Sequence, residues 1–213
     1  WAFAQDYDAD LILQEYWKPV LERLEAALEA RREAPVVHPN DPVIRESDGL
    51  LWIDRGAATG DGIGFAGHEN EIKPLLTELL PEGGVLLDVG AHVGHWTLRL
   101  AGKASKVIAI EANPDTASTL RRHLAINDIG NVDVHAVAAW DRDERLRLSD
   151  PNAQLEGGSP RTQPDDDGTV QGVRLDELLA DLDRLDLVKL DVEGADLHAL
   201  RGMAWLLDRF KPV

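Results

Sequence analysis

The hydrophobic pattern changes character along the chain. From Asp8 to Arg32, Leu13, Trp17, Leu21, Leu24 and Leu28 recur at helical spacing with charges between them, which predicts an amphipathic helix. Pro19 interrupts that helix, and Pro35, Pro39 and Pro42 turn it into a linker. Ile44 to Arg55 alternates around Asp48-Gly49 and predicts a short hairpin. A glycine-rich stretch from Gly56 to Gly67 reads as a loop, and Glu69 to Leu80 as a helix closed by Pro81-Glu82-Gly83-Gly84.

Beyond Gly84 the pattern becomes a repeat of apolar runs and helical segments. Val85–Val89, Lys106–Glu111, Val132–Ala138 and Leu187–Asp191 read as strands, and Trp96–Ala101, Pro114–Asn127 and Ala195–Leu207 as helices. Strands that are apolar throughout and alternate with helices predict a parallel sheet covered on both faces. With right-handed crossovers this is a doubly wound, mostly parallel α/β sheet, Rossmann-like in outline. Short strands at Leu146–Leu148 and Val170–Leu175 flank a loop, Asp150–Gly168, whose run Asp165-Asp166-Asp167 reads as solvated charge. The chain therefore divides into an N-terminal helical arm and linker over 1–42, expected to pack on the domain or on another subunit, and a domain over 43–213.

Charge and composition narrow the function. Of the 213 residues, 39 are acidic and 22 basic, a net charge of −17. Such a surface repels phosphate backbones and anionic membranes, so a nucleic-acid partner is disfavoured. The pairs Arg31-Arg32 and Arg121-Arg122 read as solvated helix faces. No apolar run is long enough to span a bilayer and no signal-peptide pattern is visible. The chain has no cysteine, which excludes disulfides, cysteine-ligated zinc and thiol catalysis within it. Together these features lead to the expectation of a cytoplasmic protein.

The densest chemistry lies at strand ends. The first strand ends in Leu87-Asp88-Val89-Gly90-Ala91-His92-Val93-Gly94. Gly90 permits a tight turn and Gly94 a close helix, at the edge where doubly wound sheets bind ligands. The spacing is D-x-G-x-x-x-G, and His92 stands where a dinucleotide fold wants its second glycine, which argues against a pyrophosphate. Seventeen residues after Gly94, the second strand ends at Glu111, a carboxylate placed to accept ribose hydroxyls. Small residues, Ala138 and Ala139, followed by Trp140, close the third strand and suit a flat ring. In the fourth, Lys189, Asp191 and Glu193 alternate and are expected on one side, where burial requires pairing. Candidate proton acceptors are Asp191, Glu193, His68 and His95. Carboxylates could hold a divalent metal, yet no metal-specific spacing is present.

These segments, DVGAHVGHWT (88–97), IEANPDT (110–116), HLAINDIGNV (123–132), VAAWD (137–141), VRLDELL (173–179) and VKLDVEGADLHALRGM (188–203), resemble the FkbM family of methyltransferases. The resemblance runs from about Gly67 to Val213. It implies a class I methyltransferase fold, S-adenosylmethionine as cofactor and O-methylation of a small-molecule, natural-product or glycan hydroxyl. By that resemblance Asp88, Gly90, Ala91 and Gly94 surround the methionine part, Glu111 holds the ribose, Ala112 and Asn113 lie beside the adenine, Ala138 offers backbone to it, Asp191 sits near the methyl, and Glu69 matches an acidic position just upstream. The family continues through a fifth strand and an antiparallel pair. Here the fifth strand is expected to begin at Lys211-Pro212-Val213, so the domain is expected to be cut short at that end. Two other readings stand beside this one: a nicotinamide-dependent oxidoreductase or epimerase, although neither Tyr7 nor Tyr16 is followed by Lys four residues on, and a non-catalytic S-adenosylmethionine-binding module.

Overall fold

The computed structural model describes residues 43–54, 71–149 and 162–213. The expected N-terminal arm, the glycine-rich loop, His68, Glu69 and most of the Asp150–Gly168 loop lie outside the described residues.

The expected hairpin forms as β1 (Val43–Ser47) and β2 (Leu50–Asp54), paired antiparallel with Ser47 opposite Leu50. Its two turn residues, Asp48 and Gly49, have φ of 61° and 75°, the backbone signature of a two-residue turn that matches strand twist. The helix expected from Glu69 begins at Lys73 and becomes α1 (Lys73–Leu79). Then follow β3 (Gly84–Val89), α2 (His95–Ala101), β4 (Ala104–Ile110), α3 (Pro114–Ile126) and β5 (Val132–His135). After a second group of strands come α4 (Leu175–Leu178), β10 (Leu187–Leu190), α5 (Asp196–Gly202) and α6 (Ala204–Phe210). The helix expected over Ala195–Leu207 is thus two, divided at Met203, whose ψ of 20° breaks the helical run.

The central sheet has the order β10-β3-β4-β5, and all three pairings are parallel. From β3 the chain steps outward through β4 to β5, then returns to the other side of β3 as β10. That reversal puts a crevice at the carboxyl end of β3. Every residue of β3 is buried, because alternate side chains enter different layers. Val85, Leu87 and Val89 meet Ala199, Met203 and Leu206, while Leu86 packs with Leu80, Leu100 and Val107. At the outer side, the Val213 amide donates to Asp186 O and its carbonyl accepts from Val188 N, both at 3.0 Å. This backbone pairing lies where the sequence predicts a fifth strand to begin.

One strand departs from expectation. The run Val132–Ala138 does not stay in one sheet. β5 ends at His135, and Ala138-Ala139 forms β6 in a second four-stranded sheet, ordered β6-β9-β7-β8. There β6 runs parallel to β9 (Val170–Val173), and β7 (Glu144–Leu148) pairs antiparallel with both β9 and β8 (Thr162–Pro164). A continuous apolar run carries no mark of where a chain changes sheets; the packing of Ala138, Trp140, Leu146, Val170 and Ala195 decides it. Asp165 of the aspartate run is bound to Arg147 Nε at 2.6 Å and to the Asp167 amide at 2.9 Å. No helix among the described residues is long and apolar enough to cross a membrane.

The hairpin is fastened to α3 by side chains. Asn127 accepts from the Leu51 amide and donates to its carbonyl, each at 2.8 Å. The buried His123 accepts from Ile53 N at 3.0 Å, which leaves its Nδ1 to donate to Val93 O at 2.8 Å. Asn127→Ala should therefore release β2 locally. It should cost about 1 kcal/mol and speed hydrogen exchange of the Leu51 amide, leaving β3 amides as slow as before.

Candidate cofactor site

The site grows from the turn after β3. Gly90, with φ of 80°, and Gly94, with φ of 100°, take left-handed backbone. A Cβ at Gly90 would stand 1.9 Å from Asp191 O, and one at Gly94 2.3 Å from Leu98 Cδ1. Both positions therefore favour glycine by conformation, and at Gly90 the backbone contact also leaves no space for a Cβ. Between them His92 also has positive φ, 52°, and Ala91 is buried. The Gly90 and Ala91 amides both donate to Ile110 O, at 2.9 and 3.0 Å, tying the turn to β4.

Glu111 follows β4 directly and locks this arrangement. Its Oε2 accepts from His92 N at 2.8 Å and its Oε1 from Asn113 N at 2.9 Å. Each oxygen keeps acceptor capacity, which suits two neighbouring hydroxyls. Burial pushes the Glu111 carboxyl above its ordinary value, against the two backbone amides and the charges of His92 and Lys189.

Across the crevice, Lys189 stands opposite Asp88 in the β10–β3 register. Its ammonium donates to Gly90 O at 2.7 Å and lies 3.4 Å from Asp88 Oδ1 and 3.8 Å from Asp191 Oδ2. Asp88 is wholly enclosed, and its Oδ2 accepts from Thr97 Oγ1 at 2.6 Å. Its carboxylate thus serves the protein interior, holding β3, β10 and α2 together.

Other expected residues take up different posts. Glu193 lies beyond the end of β10 at Leu190, in left-handed backbone with φ of 52°, so strand alternation does not extend to it. Asp191 is exposed at the rim. The Asn113 side chain caps α3, accepting from the amides of Asp115 and Thr116, so only its backbone faces Glu111. Ala138, three residues past the end of β5, pairs with Gly172 in the second sheet. Trp140 is core, 2% exposed, and its face is already covered. His95 is buried on α2, with its Nδ1 2.8 Å from Arg99 Nη1.

The face of Trp140 is covered by His198, a residue that no local pattern singles out. The rings stack with centroids 3.8 Å apart and planes 6° from parallel. His198 Nδ1 lies 2.9 Å from Asp141 Oδ2, and Trp140 Nε1 donates to Glu144 Oε2 at 2.9 Å. His198 and Asp141 are 57 positions apart, so no local spacing could have joined them. Among the described residues no cluster of His, Asp and Glu is arranged to hold a metal ion.

Comparison with known proteins places residues 88–213 in a match to the model of the methyltransferase FkbM domain, more than half of the chain. Curated relatives include Methyltransferase 1 of Beauveria bassiana, 27% identical over 149 residues, covering 58% of this chain and 59% of that protein. Another is the hexuronic acid methyltransferase AglP of Haloferax volcanii, 29% identical over 138 residues, covering 63% of this chain and 56% of that one. The chain thus spans less than two thirds of the length of these relatives. Among solved structures, the M. jannaschii TYW2 complex with AdoMet is 22% identical, with 53% of this chain and 49% of that chain covered and a TM-score of 0.37. A putative transferase, PH0793 of Pyrococcus horikoshii, is 18% identical, with 60% and 50% covered and a TM-score of 0.40.

Two outcomes follow from this geometry. Lys189→Met leaves the enclosed Asp88 carboxylate without its cation and should destabilise the protein by about 3–5 kcal/mol. Adding Asp88→Asn should restore part of that loss, as read by urea unfolding. Glu111 gives a pH signature. Its folded pKa is raised, so its contribution to stability is greatest below the ordinary carboxylate value and is lost as pH rises through the raised one. Relative to wild type, Glu111→Gln should gain stability from acid to neutral pH; a difference independent of pH would contradict the shift.

Proposed function

The chain belongs to the methyltransferase FkbM domain family, and on that premise we propose that it transfers a methyl group from S-adenosylmethionine to a hydroxyl oxygen of a sugar or another small molecule. The observation that carries the reading is Glu111, fixed by two backbone amides at the end of β4, beside the glycine turn and at the sheet's switch point. Its free acceptor capacity fits the two hydroxyls of a ribose. His92, in left-handed backbone within the turn, fills the place where a pyrophosphate would need to approach, which disfavours a nicotinamide dinucleotide.

The bound donor supplies an electrophilic methyl on a sulfonium. The protein's part is position and field. Gly90, Ala91 and Gly94 shape the turn against which the methionine portion lies. Glu111 orients the ribose, and Ala112 with the Asn113 backbone borders the adenine. Ala138, enclosed in the second sheet, supports that border from behind. Asp191 and Glu193, exposed beyond β10, lie on the acceptor's side and receive hydrogen bonds from it. Glu69 and His68 are assigned to the donor and acceptor sides from the sequence alone. Holding an acceptor oxygen in line with the methyl carbon is itself a large part of such a rate.

A sugar acceptor draws support from two directions. The relative AglP is named for a hexuronic acid, and the net charge of −17 disfavours a polyanionic strand. Calorimetric titration of S-adenosylmethionine and S-adenosylhomocysteine tests the donor. Micromolar binding, weakened at least tenfold by Glu111→Ala (about 1.4 kcal/mol), is expected. Clear NAD binding without adenosyl binding would sink the reading. Transfer of label from methyl-tritiated S-adenosylmethionine to hexuronic acid glycosides tests the acceptor class.

A further inference from the structure

Methyl transfer to a hydroxyl needs a group that takes the proton, and the geometry points to His198 as that base, with Asp141 as its positioning residue; this rests on the hydroxyl-methylating reading above. The place is right. His198 sits in the first turn of α5, reached from the carboxyl end of β10 through the turn that carries Asp191 and Glu193. Asp141 follows β6 by two residues. Trp140 and Ala195, which bring the two segments together, pack in one cluster with Ala112, the neighbour of Glu111, and Val192, the neighbour of Asp191. That cluster ties the pair to the segments that carry both proposed halves of the site.

The imidazole is held in one orientation. Its face lies on a fully enclosed indole, which is itself anchored through Nε1 to Glu144. Its Nδ1 is bound to Asp141. Against the upward push of burial, the hydrogen bond from His198 and the charges of His198, Arg142 and Arg201 hold the Asp141 carboxyl below its ordinary value. An ionised carboxylate can only accept, so Nδ1 carries the hydrogen and Nε2, on the opposite edge, keeps the lone pair. The His198 side chain remains about a third exposed, so the ring is not sealed from solvent. A base oriented by a carboxylate behind it is the arrangement general-base chemistry uses. An imidazole also titrates nearer neutrality than carboxylates do as a class. The other charges bearing on the pair are Arg142, which follows Asp141, and Arg201 from the next turn of α5.

In the step, the acceptor O–H proton passes to His198 Nε2 as the oxygen lone pair forms a bond to the methyl carbon. The carbon–sulfur bond breaks with its electron pair going to sulfur. The products are the methyl ether and S-adenosylhomocysteine, and the imidazolium returns its proton to water. Asp141 stabilises the transient positive charge.

Two measurements on the whole chain test this. With labelled S-adenosylmethionine and hexuronic acid glycosides, H198Q should lose about 10²–10⁴-fold in kcat, bind S-adenosylhomocysteine as wild type does, and lose the acid limb of the wild-type pH profile. Nitrogen-15 NMR of the protein with S-adenosylhomocysteine, the His198 signals being those absent from H198Q, should show the neutral ring protonated on Nδ1, and D141N should shift that balance. A neutral ring protonated on Nε2, or an H198Q enzyme with unchanged kcat and pH profile, overturns the assignment. Wild-type protein that fails to bind S-adenosylhomocysteine overturns the underlying reading and this one with it. If it binds but methylates none of the glycosides, the tautomer alone decides.

Discussion

An ammonium and a carboxylate face each other inside the sheet, and the arrangement of the crevice follows from them. Asp88 has no exposed surface and stands opposite Lys189 in the parallel register. A carboxylate in that position is tolerable only with a cation and hydrogen bonds around it. Thr97 supplies one bond and Lys189 the charge. The same ammonium donates to the Gly90 carbonyl, so neutralising Asp88 also fixes the turn after β3 against β10. Strand order, turn geometry and charge balance are thereby one constraint.

Glu111 extends that constraint to the second strand. One carboxylate holds the amide of His92 in one turn and that of Asn113 in the next. It compensates the left-handed backbone at His92 and keeps further acceptor capacity on both oxygens. The energetic cost of keeping it there is visible as a carboxyl raised by burial. Such costs concentrate where ligands are handled.

The second sheet explains how the rim is furnished. By leaving the central sheet after His135, the chain carries Trp140 and Asp141 under α5. A Cβ on Gly202 would stand 1.9 Å from the Trp140 carbonyl, so helix and segment lie in direct backbone contact. His198 takes its neighbours from that contact, not from its own helix.

Much of this was legible in the sequence, and the reason is local. Continuous apolar runs separated by helical periodicity specify buried parallel strands, and β3, β4 and β10 fall within a residue or two of where the pattern puts them. Asp48-Gly49 specifies its turn by backbone sterics alone, and the Asp88–Gly94 spacing specifies the tight turn that Glu111 ties to the next strand, because strand ends and glycine turns are properties of adjacent residues. Tertiary structure alone decided what depends on distant partners. It made Asp88 an interior ion-pair member, assigned the Asn113 side chain to a helix cap, moved Ala138 into another sheet and put Glu193 in a left-handed turn beyond β10. It also joined His198 to Asp141 across 57 positions. Periodicity reports which face of an element is buried, whereas the partner of a buried charge or a stacked ring is set by which elements the fold brings together.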